Sequence, residues 1–269
     1  PQSAREFTEL AQWVNYDGHR SLFESRSKNR MGLLMWMSHP CWPSMVWQTY
    51  DYYLEPTAAY FAIKKASEPL HIQWNPATDE VEVVNYSAGT HSHLTARVQI
   101  LNMDASVAWE KETTVDSRED TTEKCIKLEF PETLSEVYFI KLWLLEDGKI
   151  LSDNFYHASR KGINYQALKQ LPEVTLDCQA KMAQDKEGNW TATVTLTNPT
   201  STPALMTRIN VVGDKDGDQF LPILYEDNYF ALLPGEQKEV SVRWKDVDTR
   251  GNSPVIRITG YNVKELSRQ

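Results

Sequence analysis

Trp36, His39 and Trp42 are the side chains best suited to engage a ligand, and they lie in the run Gly32-Leu33-Leu34-Met35-Trp36-Met37-Ser38-His39-Pro40-Cys41-Trp42-Pro43-Ser44-Met45-Val46-Trp47-Gln48-Thr49-Tyr50-Asp51-Tyr52-Tyr53-Leu54-Glu55-Pro56. An indole face is a suitable platform for the apolar C–H face of a pyranose ring. His39 and Trp42 follow Trp36 closely enough to reach the same ligand. The alternative for Trp36 is a packed core ring. Trp47 and Tyr50, at helical spacing, read as core anchors for the loop and the helix after it. Asp51 is either a hydrogen-bond partner beside the site or a carboxylate that stabilises a turn.

These residues need elements to hold them. Gly32 to Met37 is apolar without alternation, which predicts a parallel strand covered on both faces, of the kind that ends a β/α barrel and opens into an active site. Before it, Ala4, Phe7, Leu10, Ala11 and Val14 fall at helical spacing, predicting one helix from about Ser3 to Lys28 with Ser3 and Glu6 as a capping box. After it, Pro56 suits the first turn of a second helix that ends near Lys64 and Lys65.

Past Glu68-Pro69 the periodicity turns from helical to alternating. Seven strands are expected at 70–74, 81–85, 94–101, 107–115, 125–130, 137–145 and 150–156, separated by turn chemistry such as Asn75-Pro76 and Glu146-Asp147-Gly148. That is the signature of an immunoglobulin-like sandwich. After a linker at Leu168 to Pro172, six more strands are expected at 174–182, 190–197, 204–212, 220–224, 239–244 and 255–261. The fold expected is mainly β: two immunoglobulin-like β-sandwich domains, residues 68–167 and 168–269, preceded over residues 1–67 by the last helix-strand-helix portion of a (β/α)8 barrel.

The run from Trp42-Pro43-Ser44 through Tyr50-Asp51-Tyr52-Tyr53, continuing into Glu55-Pro56-Thr57-Ala58-Ala59-Tyr60-Phe61 and Lys64-Lys65-Ala66-Ser67-Glu68-Pro69, resembles glycoside hydrolase family 2 in its exo-β-D-glucosaminidase and β-mannosidase branch. A second stretch, Pro222-Ile223-Leu224-Tyr225-Glu226-Asp227-Asn228-Tyr229-Phe230 to Glu236, is similar to the terminal immunoglobulin-like domain of these β-mannosidase relatives. The resemblance implies the C-terminal segment of a retaining exo-acting glycosidase that removes terminal β-linked glucosamine or mannose. It implies Trp36 as a subsite residue, with His39 and Trp42 as substrate contacts; Ser38 and His39 stand where the family commonly has Asn. Retention requires two carboxyl groups about 5–5.5 Å apart. In the family both are glutamates at the ends of barrel strands four and seven, and no Glu here stands in the matching context. No catalytic residue is therefore assigned, and the chain alone is predicted to be inactive. Periplasmic or extracellular placement is a further expectation of the resemblance.

The bulk numbers agree with that size and class. The chain has 269 residues, 41% of them hydrophobic, with nine Trp, twelve Tyr and eight Phe, which is enough for real cores. The opening on Pro1 suggests a longer parent. A net charge of −9, with no basic run, argues against nucleic acid and anionic membranes, and no apolar stretch reaches the ~18 residues of a membrane span. The expected partners are an oligosaccharide or polysaccharide and the rest of the parent's barrel. No cofactor is expected. With their barrel neighbours missing, the helices within 1–67 are expected to expose an apolar surface, so the chain made alone should associate with itself or be partly disordered there.

Cys41, Cys125 and Cys178 read as three buried thiols. His71, His91, His93 and His157 lack metal-ligand spacing and read as solvated or hydrogen-bond-satisfied side chains. Asp214-Lys215-Asp216-Gly217-Asp218 alternates carboxylates as a calcium loop does, without the downstream glutamate, and reads as an acidic hairpin tip. Asn85-Tyr86-Ser87 and Asn189-Trp190-Thr191 fit the glycosylation pattern. Neither a phosphate loop nor a Gly-x-Ser-x-Gly elbow is present. The competing hypothesis is a carbohydrate- or protein-binding immunoglobulin-like module with no enzyme attached, against which the barrel-like elements argue.

Overall fold

The computed structural model describes residues 3–25, 32–44, 48–86 and 88–269. It contains two compact units: Pro1–Asp17, Met35–Phe61 and Pro172–Gln269 form the first, Gly18–Leu34 and Ala62–Leu171 the second. Helix α1 (Ala4–Glu24) begins as expected, with the Glu6 N–H donating to Ser3 Oγ at 3.1 Å; the expected extension to Lys28 falls outside the described residues. Helix α2 (Ala58–Ala66) starts two residues after Pro56 and carries Lys64 and Lys65 in its last turn, against the negative end of the helix dipole.

The second unit contains a sandwich of seven antiparallel strands. β1 (Leu70–Asn75), β2 (Glu80–Asn85) and β5 (Thr121–Lys127) form one sheet in the order β1-β2-β5. β3 (His91–Asn102), β4 (Val107–Ser117), β6 (Val137–Glu146) and β7 (Lys149–Ser159) form the other, in the order β4-β3-β6-β7. Alternation puts Ile72, Val81, Val83 and Ile126 from one sheet against Leu94, Val98, Ile100, Ile140, Leu142 and Leu144 from the other. Each such fully buried side chain contributes about 1.5–3 kcal/mol of transfer free energy.

A polar cluster is buried in the same unit. His71 Nδ1 lies 3.3 Å from Glu68 Oε2 and its Nε2 3.1 Å from Glu24 Oε1. Asn154 and Tyr156 donate to the same Glu24 oxygen, and the Arg20 guanidinium lies 4.1 Å from the centre of the Tyr156 ring. Burial pulls the His71 pKa down, but the hydrogen bonds to Glu24 and Glu68 outweigh it and hold it above the ordinary value. His71 is thus of the satisfied kind. His91 Nδ1 meets Glu146 at 3.0 Å, His93 is exposed, and His157 packs on Tyr165.

In the first unit, β8 (Asp177–Gln184), β9 (Asn189–Thr197), β11 (Leu224–Tyr225) and β13 (Gln237–Lys245) form a sheet ordered β11-β13-β9-β8. β10 (Ala204–Gly213), β12 (Phe230–Leu232), β14 (Pro254–Thr259) and β15 (Leu266–Arg268) form another, ordered β12-β10-β14-β15. Trp190 and Trp244 pair across β9 and β13, their rings parallel within 3°. Trp13 of α1 packs edge-on against Tyr261 with centroids 5.0 Å apart.

Several expectations need correction. Gly32 to Met37 forms no strand; among the described residues no other segment offers it a ladder, and Leu34 is 99% exposed. An apolar run becomes a strand only where neighbouring backbones take its N–H and C=O groups. Residues 220–223 are likewise irregular, whereas the three-residue β12 and β15 were not foreseen. The expected linker contains a short 3-10 helix, Gln166–Gln170, with Leu168 buried. Of the three cysteines only Cys178 is buried; Cys125 is half-buried and Cys41 exposed. The side chain of Asn85 is buried and donates to the Gly89 carbonyl, and Ser87 of that motif lies outside the described residues.

Candidate functional site

The aromatic loop of the first unit is held from below by local chemistry. Asp51 Oδ1 accepts from the backbone N–H groups of Tyr53 and Glu55 at 2.8 and 2.9 Å, which closes a tight turn. The turn-stabilising reading of Asp51 is the one realised. Burial pushes its carboxyl above the usual range, against those two backbone hydrogen bonds. Tyr50 and Pro56 face each other as an isolated antiparallel bridge across the turn. Tyr50 is half-buried and packs on Tyr60 of α2 with centroids 5.3 Å apart, in its expected anchoring role. Trp47 lies outside the described residues.

The turn is stitched to both helices and to the upstream loop. Thr57 Oγ1 donates to the Gln48 carbonyl at 2.6 Å, and the N–H of Ala58, first residue of α2, donates to Gln12 Oε1 of α1 at 2.9 Å. Gln12 thereby satisfies one of the orphan donors of a helix start. The Ser38 carbonyl accepts from the Tyr50 N–H at 3.0 Å and from Thr49 Oγ1 at 2.9 Å. Ser38 sits between Trp36 and His39, so this double hydrogen bond fixes the backbone that carries them.

Trp36 is 81% and Trp42 68% exposed, and His39 is exposed as well, while Pro40 between them is buried. The peptide bond between Trp36 and Met37 is cis. All three residues singled out in the sequence therefore lie on one loop with surface open to solvent. Tyr52 and Tyr53 are also exposed and meet edge-to-face at 5.1 Å.

Sequence reasoning missed Glu55. Its carboxylate accepts from Arg208, from Asn210 Nδ2 at 3.2 Å and from Gln219 Nε2 at 2.8 Å. Arg208 is largely buried, lies 5.6 Å from the centre of the Tyr229 ring, and has Glu9 of α1 as a second acidic neighbour. Burial raises the Glu9 carboxyl pKa, opposed by Arg208 and Arg5. Glu55 had stood out only as part of a resembling run.

The similar stretch at 222–236 is built inward. Asn228 Oδ1 accepts from the Ile209 N–H at 2.7 Å and Nδ2 donates to the Ile209 carbonyl at 2.9 Å, so one amide replaces a neighbouring strand beside β10. The Tyr225 hydroxyl accepts from the Val211 N–H at 3.1 Å, and Tyr229 packs near Phe61. At the 214–218 tip, Asp214 and Asp216 spend their oxygens on the Ser253 and Asp218 N–H groups and on Asn252. Among the described residues no three His, Cys, Asp or Glu side chains come together as a metal site.

Comparison with known proteins matches residues 154–263 to the exo-β-D-glucosaminidase Ig-fold domain. Over those residues the chain is similar to an immunoglobulin-like domain of exo-β-D-glucosaminidases. Over 98% of its length it is 32% identical to the exo-β-D-glucosaminidase of Streptomyces avermitilis, of which it covers 33%. It superposes with a TM-score of 0.88, at 28% identity, on a variant of the Amycolatopsis orientalis exo-chitosanase CsxA in complex with PNP-β-D-glucosamine, covering 96% of this chain and 34% of that one. The β-D-mannosidase of Dictyoglomus thermophilum shares the fold, with a TM-score of 0.72 at 17% identity. The chain thus spans about a third of the length of the glucosaminidases it matches.

Proposed function

We propose that this chain serves as the C-terminal segment of a retaining exo-β-glycosidase of glycoside hydrolase family 2 that removes terminal β-linked glucosamine, with mannose as the second candidate sugar. In this reading residues 1–67 close the catalytic barrel, the sandwiches at 68–167 and 168–269 are accessory domains, and Trp36, His39 and Trp42 form part of the substrate-binding wall. The observation that carries it is the pairing of exposure with fixation. Trp36 and Trp42 keep most of their surface in solvent although the loop beneath is tied by Ser38, Asp51, Thr57 and Glu55. Large exposed rings on a held backbone suit stacking on a sugar with little ordering cost at binding. The catalytic carboxylates belong to the remainder of the parent, which is the chain's principal partner along with its oligosaccharide or polysaccharide substrate. The same exposed rings, with Phe7 and Val14 on α1, would drive self-association of the chain when it is made alone.

The test is hydrolysis of aryl β-D-glucosaminide, β-D-mannoside and β-D-galactoside by the full-length parent and by this chain alone. Activity in the parent with none in this chain is the expected result. Turnover by this chain alone would place both carboxylates within it and overturn the reading.

A further inference from the structure

We propose that Arg208, on strand β10 of the accessory sandwich, is a positioning residue for substrate binding: acting through Glu55, it sets the loop that presents Trp36 and His39. The inference rests on the reading of that loop as a sugar-binding wall. Arg208 and Asn210 are two apart on β10 and therefore share a face, and both donate to Glu55 Oε1, while Gln219 from the following loop donates to Oε2. Three donors from the sandwich thus converge on one carboxylate of the aromatic segment.

From Glu55 the constraint passes along a short path. The Asp51 side chain holds the Glu55 N–H, the Asp51 N–H donates to the Glu55 carbonyl at 3.0 Å, and Tyr50 bridges Pro56. Tyr50 N–H and Thr49 Oγ1 then grip the Ser38 carbonyl. Every link is a backbone or side-chain hydrogen bond within the first unit. A buried ion pair of this kind adds little net stability over an apolar replacement, and its best-attested use is to select one arrangement among several. The planar guanidinium fixes direction as an ammonium does not. A displaced binding wall weakens the hold on substrate and transition state alike, which raises KM and leaves kcat nearly unchanged.

The experiment uses the full-length parent and aryl β-D-glucosaminide, with KM, kcat and melting temperature measured for each variant. Arg208→Met and Glu55→Gln are each expected to raise KM about tenfold with kcat within about threefold of wild type, and the double variant to do no more than either single one. Arg208→Lys should recover part of the lost affinity. Asn262→Ala is the control: it removes hydrogen bonds to Leu205, Pro172 and Pro203 in the same sandwich without touching Glu55, so it should lower the melting temperature and leave KM alone. Wild-type KM in Arg208→Met and Glu55→Gln would overturn the inference, as would an equal rise of KM in Asn262→Ala. If Arg208→Met does not fold, Arg208→Lys and Glu55→Gln decide the matter. Trp36→Ala separates the two levels: unchanged KM there removes the binding-wall reading and this inference with it, whereas a raised KM there with no effect of Arg208 removes this inference alone.

Discussion

His71 is bound to Glu24 through Nε2, 3.1 Å from Oε1, with 1% and 7% of the two side chains exposed. Its other nitrogen faces Glu68. A carboxyl group at each nitrogen favours the protonated ring, the direction in which the hydrogen bonds to Glu24 and Glu68 move its pKa. The Glu68 pKa is pushed up by burial, but hydrogen bonds from His71 and Lys65 prevail and hold it below its ordinary value. The signs fix the pH window. His71, raised from 6.5, contributes stability that is complete below that value and lost as pH rises through its folded pKa. Glu68, lowered from 4.5, contributes stability that is complete above that value and lost as pH falls through its own. Thermal melts across this range should show a maximum between the two, and His71→Gln should cost about 3 kcal/mol there and remove the alkaline decline. A variant that keeps the alkaline decline would refute the protonated ring.

Asn228→Ala should be among the costliest single truncations in the first unit. It strands the Ile209 N–H and C=O, both buried beside β10. Urea denaturation is expected to report a loss of about 3 kcal/mol. A loss below about 1 kcal/mol would mean that water or a neighbouring strand replaces the amide.

Asp51→Ala should act locally. Amide hydrogen exchange at Tyr53 and Glu55 should quicken, since both N–H groups bond to Asp51 Oδ1, while global stability changes by about 1 kcal/mol. Unchanged exchange at those two amides would contradict the turn geometry.

The sequence made the long strands legible and the tertiary links invisible. β3 and β7 were found because their buried residues recur at every second position along most of the strand, and β6 because it is a long, almost continuous apolar run. Strands β12 and β15 span three residues each and carry no such period. The run from Gly32 to Met37 failed for the opposite reason, since its apolarity describes what it can bury and not which backbone it can pair with. Trp36, His39 and Trp42 were singled out by their place at the end of the expected strand and by resemblance, and the structure puts all three on one exposed loop. Glu55 and Arg208 are 153 residues apart, and nothing local in either neighbourhood announces the other.

Thiol chemistry offers an independent check on burial. Cys41 should react with a thiol reagent in the native protein within minutes. Cys125 should resist, because its pKa is pushed up to about 12 by burial and its Sγ points at the Val81 carbonyl. Cys178 should resist because it is buried. Denaturant should release both. Rapid native modification of all three would contradict the packing of β5 and β8.

The zipper along β10 also protects the chain from itself. On the side of β10 away from β14, the N–H groups of Ile209, Val211 and Gly213 are taken in turn by the Asn228 side chain, the Tyr225 hydroxyl and the Asp218 carbonyl. A strand edge closed partly by side chains offers no template onto which a stray polypeptide can grow. The resembling stretch around Tyr225 and Asn228 therefore doubles as a guard against amyloid-like stacking, and a substitution that loosens it should surface first as poor solubility during synthesis, before any loss of the folded state is measurable.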